Sequence, residues 1–543
     1  MRPALVAVGC AVCLGCATKD IGLETLPAPD AGVVAAEPPP LVPAPGEECY
    51  DGPPETKNVG ICRAGTRKCA TCACDGQVLP SKAAELCGTF LDLDCDGKAP
   101  SSTCPGDVEF RNELADATIS SVAVSPDGNV VVGGSGYIDT GSGGVPLSTG
   151  SGVFLAKFDP SGARLFTKNF PGSTSYFYPY FGSDGTRVAI DADGAIVARF
   201  RVAGTATAGL SIDVGDGLVS NAGEPLTVLA KFDAKGALLW KKTLPPWAVY
   251  KAVAIDQAKN VYASIATIQG TGTVDLGSGC TPRPWTGYSA MLASFGPTGA
   301  CRWLSAFPES SGGELPDLDR LASFGSEVVA GGRFEALAGL GSDDPPPPIG
   351  APYDFGFGSV DAGEGIFLVG IDTATGAAVW SKTYVPTPAT DNYLMGALLT
   401  GLVVSPSGRW LATGVVNKLD AVDFGGGALV SSGRWDSFLF GLGAGGAYAI
   451  SKRWAGQINY NVQPGAIAAN ATNVVLTASY TDTIDLGGGP LKTPDRASYV
   501  AKLTADGAHV WSHSLEATIH AVAIGPDGDV YAGGVGLFLK LSR

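Results

Sequence analysis

Two stretches decide the fold: VAVSPDGNVVVGG (Val122–Gly134) and FLAKFDPSGARLFTKNF (Phe154–Phe170). The first recurs from Val188, Val253, Leu321, Leu402, Ile467 and Val522. The second recurs from Val228, Met291, Phe367, Phe438 and Tyr499. Each stretch reads as two strands rich in Val, Ile, Phe, Tyr and Trp, broken by a turn that carries Gly. Gly128, Gly194, Gly408 and Gly528 supply the positive φ of one turn, and Gly162, Gly236, Gly299, Gly376 and Gly507 that of the other. No part of the repeat holds a helical period. A unit of four strands, repeated in this way, builds a radial array of sheets around a channel, a β-propeller.

The aromatic position in the closing strand counts the blades. Phe166, Trp240, Trp303, Trp380, Ile450 and Trp511 fill the slot. The C-terminal copy stops at LFLKLSR (Leu537–Arg543), and its missing strand is found at the other end as VEFRNEL (Val108–Leu114), with Phe110 in the slot. The expectation is an all-β, seven-bladed propeller over 107–543. Its last blade combines three C-terminal strands with one N-terminal strand, which removes a free sheet edge.

The chain has 543 residues, 76 of them Gly, and only 16% are charged, as a turn-rich β protein requires. Its net charge of −16 argues against nucleic acid, which wants a basic surface. Acidity is compatible with divalent cations, but it first of all keeps a protein soluble and monomeric.

Residues 1–15 read as an export signal: Arg2, then an apolar run too short to span a bilayer. LGC, ending at Cys16, resembles a bacterial lipobox, in which the Cys is lipidated. Cys10 is an alternative acceptor, and an ordinary secretory signal is the other reading. The lipobox implies an anchor in the membrane without a span. Ala17 after Cys16 points to the outer membrane or cell surface under the usual sorting rule. Residues 16–48 are a Pro-rich spacer.

Eight of the thirteen Cys fall in 49–104, an even number in a short exported segment, which reads as a disulfide framework of open connectivity. CATCAC holds a CxxC but no matched second pair and no His nearby, so zinc is not favoured. Asp92, Asp94 and Asp96, ahead of Gly97, imitate the start of an oxygen-ligand calcium loop. The twelfth position of that loop is Thr103 where an EF-hand has Glu, so the segment is not an EF-hand. An acidic turn stiffened by Cys95 is the alternative.

Two family resemblances add to this. Cys49–Cys69, Cys74–Cys87 and DLDCDG (Asp92–Gly97) resemble the Cys-rich metal-binding motif of MopE-type secreted bacterial surface proteins. That implies a metal near Asp92–Asp96, although the acidic residue that usually follows CDG is missing here. The repeat resembles the bacterial β-propeller repeat (SBBP) family over most of 108–543. Blades four and five depart from it in losing the Lys found at Lys157, Lys231 and Lys502. The resemblance implies an extracellular propeller and does not imply an enzyme.

Asp-x-Gly-x-Gly recurs at Asp139, Asp213, Asp275, Asp354, Asp423 and Asp485. Near-identical copies suit a turn cap better than one active site. The chain has three His: His509, His513 and His520. The first two lie about 13 Å apart on one strand, too far to share a metal. There is no GxSxG elbow, no HExxH and no phosphate-binding Gly-Lys-Ser/Thr. Cys280 and Cys301 flank one strand and turn, and are expected to form a disulfide that staples blade three. Between Gly172 and Gly185, the cluster Tyr176, Phe177, Tyr178, Tyr180 and Phe181 is a candidate binding loop, with packing on the blade edge as the alternative.

The leading functional expectation is a non-enzymatic, surface-anchored binding or scaffold protein whose partners are envelope proteins or glycans. One rival is a propeller enzyme with a central-channel site, either a calcium-dependent hydrolase or a quinoprotein-like oxidoreductase. The other is a purely structural envelope protein.

Overall fold

The computed structural model describes residues 47–59, 62–68, 72–80, 95, 105–138, 152–171, 185–202, 210–221, 226–267, 270–287, 289–307, 317–334, 353–354, 359–360, 365–387, 397–417, 420–432, 435–458 and 465–543. The chain divides into two compact units, Met1–Pro80 and Ser81–Arg543.

In the first unit, Glu47–Cys49 pairs antiparallel with Gly65–Arg67, and bridges Arg63–Val78 and Thr66–Asp75 add a third segment. A disulfide joins Cys49 to Cys74, with Cα atoms 5.7 Å apart. Cys62 and Cys72 of this unit are also disulfide-bonded, as is Cys95 of the second. Asp51 accepts from Arg67 (2.6 Å) and from Gln77 (2.7 Å), which ties the start of the unit to its last strand. So small a segment buries too little apolar surface to fold on its core alone, and the disulfides supply the rest.

The second unit is a seven-bladed β-propeller. Each blade is an antiparallel sheet of strands A to D, counted in chain order and from the centre outward. Blade 3 shows the plan: Ala248–Ile255, Val261–Thr267, Ala290–Phe295 and Cys301–Ala306 hydrogen-bond in that order. Blades 2 and 4 repeat it from Arg187–Ile190 and Asp317–Phe324, blade 5 from Ala397–Val404, and blade 6 from Ile467–Ala469. In blade 1, strand A is the 117–124 half of Val108–Val124, followed by Val130–Gly136, Gly152–Phe158 and Arg164–Pro171. The A strands touch one another in sequence, and that of blade 7 (Ile519–Ile524) touches that of blade 1, so the ring is closed. Hydrophobic clusters fill the spaces between blades, and no α-helix occurs among the described residues.

Blade 7 uses both ends of the chain. The first half of Val530–Leu541 pairs with Ile519–Ile524, and its second half pairs with 108–113 in the register Val108–Leu541, Phe110–Lys540, Asn112–Phe538. The tight turn between strands C and D is therefore interrupted, yet its hydrogen bonds are intact. In blade 3, Gly296 N–H donates to Ala300 (2.8 Å) and Gly299 N–H to Gly296 (2.9 Å). In blade 7, Ser542 N–H donates to Asp107 (2.8 Å) and Gly106 N–H to Ser542 (2.9 Å). Gly106 thus stands in for the turn glycine across the gap between Arg543 and Pro105.

The aromatic slot explains why that position must be Gly. Each slot residue lies flat on the turn glycine of the next blade: Trp240 on Gly299, Trp303 on Gly376, Phe110 on Gly162, and Trp511 on Gly106. A Cβ on Gly299 would meet the Trp240 ring at 2.9 Å, and one on Gly106 would meet Trp511 at 3.0 Å. Both glycines have positive φ (+84 and +91), so shape and backbone exclude a side chain together.

A buried Lys in strand C adds a second lock. Lys502 donates to the Gly528 carbonyl of the next blade (2.8 Å), and Lys231 faces Asp191 (3.4 Å). Lys540 occupies the same slot in blade 7 and meets both Asp529 and Glu109 at 2.7 Å. Burial pushes the Lys540 ammonium down, but the hydrogen bonds to Asp529 and Glu109 outweigh it and hold the group above its ordinary value.

Candidate functional site

The two ends of the propeller differ. A–B and C–D turns lie at one end and are short and alike, built on an Asp or Ser that caps its own turn: Asp159, Asp191, Asp233, Asp256 and Asp372 all accept backbone amides two to four residues on. B–C and D–A connections lie at the other end, because antiparallel strands return there. Within the propeller, the long non-repeating segments fall in those connections, 335–364 and 172–184 among them.

Strand A enters from that variable end, and there its ladder is broken by a bulge in five blades. The register slips at Ile119/Ser121, Tyr250/Val253, Asp317/Arg320, Leu399/Gly401 and Ile519/Ala521. Aligned on the strand, the bulge slot holds Ser120, Thr186, Lys251, Asp319, Thr400, Gly465 and His520. Bulges re-aim side chains and are common beside functional sites. Six of these seven residues are polar, Gly465 being the exception, and Ser120, Thr186, Thr400 and His520 are buried while Lys251 and Asp319 are half-buried.

The ring is stitched from blade to blade. Ser120 Oγ donates to Thr186 O (2.8 Å), Arg199 to Lys251 O (2.6 Å), Ser264 Oγ to Leu318 O (2.6 Å) and Arg320 to Thr400 O (2.6 Å). Lys251 and Asp319 form an ion pair at 3.2 Å, partly open to solvent. Arg187 and Arg320 take the next position along strand A. His520 is buried, and burial, with Arg187 adding to it, lowers its pKa to about 4, so the imidazole is neutral at pH 7. The chemistry on offer is hydrogen bonding. Among the described residues no side chains pair as nucleophile and base here, and no three His, Cys, Asp or Glu side chains converge to hold a metal.

The sites expected from sequence are distributed as follows. Cys280 and Cys301 are disulfide-bonded, with Cα atoms 5.7 Å apart. The bridge fastens the Asp275 turn to the start of strand D. In blade 5 the same contact is made by Tyr448 over Gly425, and in blade 6 by His509 over Gly487. In the four copies whose side chain is described, the repeated Asp is a turn cap: Asp213 accepts from Gly215 (2.8 Å) and Gly217 (3.1 Å), Asp423 and Asp485 do likewise, and Asp275 accepts from Gly277. The amides of Gly215 and Gly217 hold the Asp213 carboxyl below the usual carboxylate range. His509 bonds Ser512 (3.0 Å), and His513 packs by Trp511 (5.3 Å between ring centres), so the structure does not bring them together as ligands. Cys16, Asp92, Asp94, Asp96, Tyr176, Phe177, Tyr178, Tyr180 and Phe181 lie outside the described residues. The bulge ring was missed by sequence reasoning. Aligning the repeats would have shown it, as a polar slot two residues before each VAV.

No protein-family model matches the chain, and no curated protein matches it. Among solved structures the chain is similar to a streptogramin B lyase (12% identity, covering 80% of this chain and 97% of that one, TM-score 0.37). It is also similar to the WD40 β-propeller domain of Doa1 (10%, 81% and 97%, 0.35) and to BamB from Moraxella catarrhalis (12%, 78% and 83%, 0.28). The seven-bladed β-propeller is the conclusion that strand order, register and ring closure carry here.

Proposed function

We propose that the chain is an exported lipoprotein, lipidated at Cys16, that holds a non-enzymatic propeller at the outer membrane or cell surface and binds an envelope protein or a glycan there as a monomer. One observation carries this reading. The repeated polar groups serve turns, locks and seams, while the individuality of the propeller sequence is gathered in the B–C and D–A connections, beside the polar slot of strand A. A rigid scaffold with variable connections at one end is the usual arrangement of a binding protein. The disulfides at Cys49–Cys74 and Cys280–Cys301 support an oxidising compartment. Calcium at Asp92, Asp94 and Asp96 belongs to the same proposal, as a brace for the segment leading into the propeller.

The test is a glycan and envelope-protein binding screen on the full exported chain, repeated with Lys251→Ala/Arg320→Ala and with 335–364 replaced by a short Gly-Ser linker. Binding that falls with changes at the variable end, and survives Asp233→Ala at the opposite end, supports the proposal. Turnover of a ligand, or binding lost only through the opposite end, would overturn it. Labelled palmitate incorporation that persists in Cys16→Ser would overturn Cys16 as the lipidated residue.

A further inference from the structure

The hairpin inserted between strands B and C of blade 5 carries a buried Asp where its blade 2 counterpart carries Leu, the residue opposite being Ser431 here and Asn221 there. In blade 2 the inner face of this hairpin reads Leu210, Ile212, Val214, all buried against the sheet. Leu210 stands three residues before the capping Asp213. Three before the capping Asp423 of blade 5 stands Asp420, and the inner face continues as Val422 and Phe424.

Asp420 is 1% exposed and Ser431 is 5% exposed. Ser431 N–H donates to the Asp420 carbonyl (2.9 Å), and the next pair along is Ala421–Val430, so the two residues are directly opposite each other. Directly paired side chains leave the same face, with Cβ atoms about 5 Å apart. Asp420 Oδ1 and Ser431 Oγ are both buried and both lack a hydrogen-bond partner. Among the described residues no cation stands against this carboxylate, and burial raises its pKa. The nearby buried Asp436 is different: Arg453, Ser432 N–H and Gly456 N–H satisfy it.

A buried carboxylate with no counter-charge among the described residues, in a slot that is Leu in blade 2, sits uneasily in the apolar face it shares with Val422 and Phe424. Such conflicts persist where something else occupies the site. The donors available are oxygens only: a carboxylate and a hydroxyl, with waters or carbonyls to complete the shell. Oxygen sets of this kind take hard cations.

We propose that the root of the blade 5 hairpin binds a hard metal cation, calcium or sodium, between Asp420 and Ser431. The site is separate from the Asp92–Asp96 segment and independent of what the variable end recognises. Binding neutralises Asp420 and fastens the hairpin to the blade.

The experiment is thermal unfolding of the full exported chain in chelator-treated choline chloride, with calcium or sodium titrated in. Asp420→Asn, Asp420→Leu and Ser431→Ala are measured beside the natural protein, as is Asp92→Asn/Asp94→Asn/Asp96→Asn. At saturation the natural protein gains about 3 °C. Asp420→Asn, close in shape and uncharged, loses that gain; Ser431→Ala raises the half-saturating concentration about tenfold. The triple Asn variant keeps it. Asp420→Leu, which restores the blade 2 residue, is as stable without cation as the natural protein with it. Which of the two cations produces the Asp420-dependent gain identifies the ion. A gain from neither, or one that survives Asp420→Asn, overturns the site and leaves Asp420 a buried neutral acid.

Discussion

Lys540 joins the first and last strands of the propeller, and its replacement by Met should expose how the ring is held. Its ammonium bonds Asp529 of its own blade and Glu109 of the N-terminal strand, each at 2.7 Å. The two partners are unequal. The Asp529 side chain is 9% exposed, whereas that of Glu109 is 38% exposed. Lys540→Met leaves Asp529 buried without its cation, and breaking a buried pair from one side costs about 3–5 kcal/mol. Glu109→Gln removes only a solvent-screened contact, for about 0–1 kcal/mol. Lys540→Met/Asp529→Leu, which removes both buried charges, should recover most of the loss. Thermal unfolding should show a fall of about 3–5 °C for Lys540→Met and about 1 °C or less for Glu109→Gln. Hydrogen exchange should locate the opening in 108–114 first. Equal losses from the two single changes, or protection lost evenly round the ring, would refute the reasoning.

Further predictions rest on other parts of the molecule. His520 has its pKa lowered to about 4, so between there and 6.5 the unfolded chain binds more protons than the folded one. Stability should therefore fall by about 3 kcal/mol as pH drops through that window, and His520→Ser, copying Ser120 of blade 1, should flatten the acid limb of a Tm-versus-pH curve. Asp423→Ala frees the amides of Gly425 and Gly427, which should exchange faster while the global melting point barely moves. Cys280→Ser/Cys301→Ser should loosen the Asp275 turn in exchange measurements and leave the other blades unchanged.

Much of the fold could be read from sequence because the repeat is local. The turn glycines, the aromatic slot and the Val108–Leu114 strand each carry their own signal, and Phe110 alone reveals where the seventh blade is completed. Gly106 carried none: its turn partner Ser542 lies at the far end of the chain, and Pro-Gly after Cys104 reads as a linker. The bulge ring was hidden because a bulge breaks the alternation by which strands are recognised. Asp420 looks like any hairpin aspartate until register places it opposite Ser431 on the buried face. The disulfide connectivity of 49–104 is not a property of spacing at all.

The claim that most of this account depends on is that seven equivalent blades close across the chain ends, with Ser542, Arg543, Pro105, Gly106 and Asp107 forming a C–D turn that lacks one peptide bond. A circular permutant tests it directly. Arg543 is joined to Pro105 with no added residues, and new ends are opened in the matching turn of blade 2, between Ala234 and Lys235. The account predicts a soluble β protein with the circular dichroism of the natural propeller, and a melting point equal to or above it. An unfolded or aggregated permutant, or one that folds only when a longer linker is inserted, would contradict it.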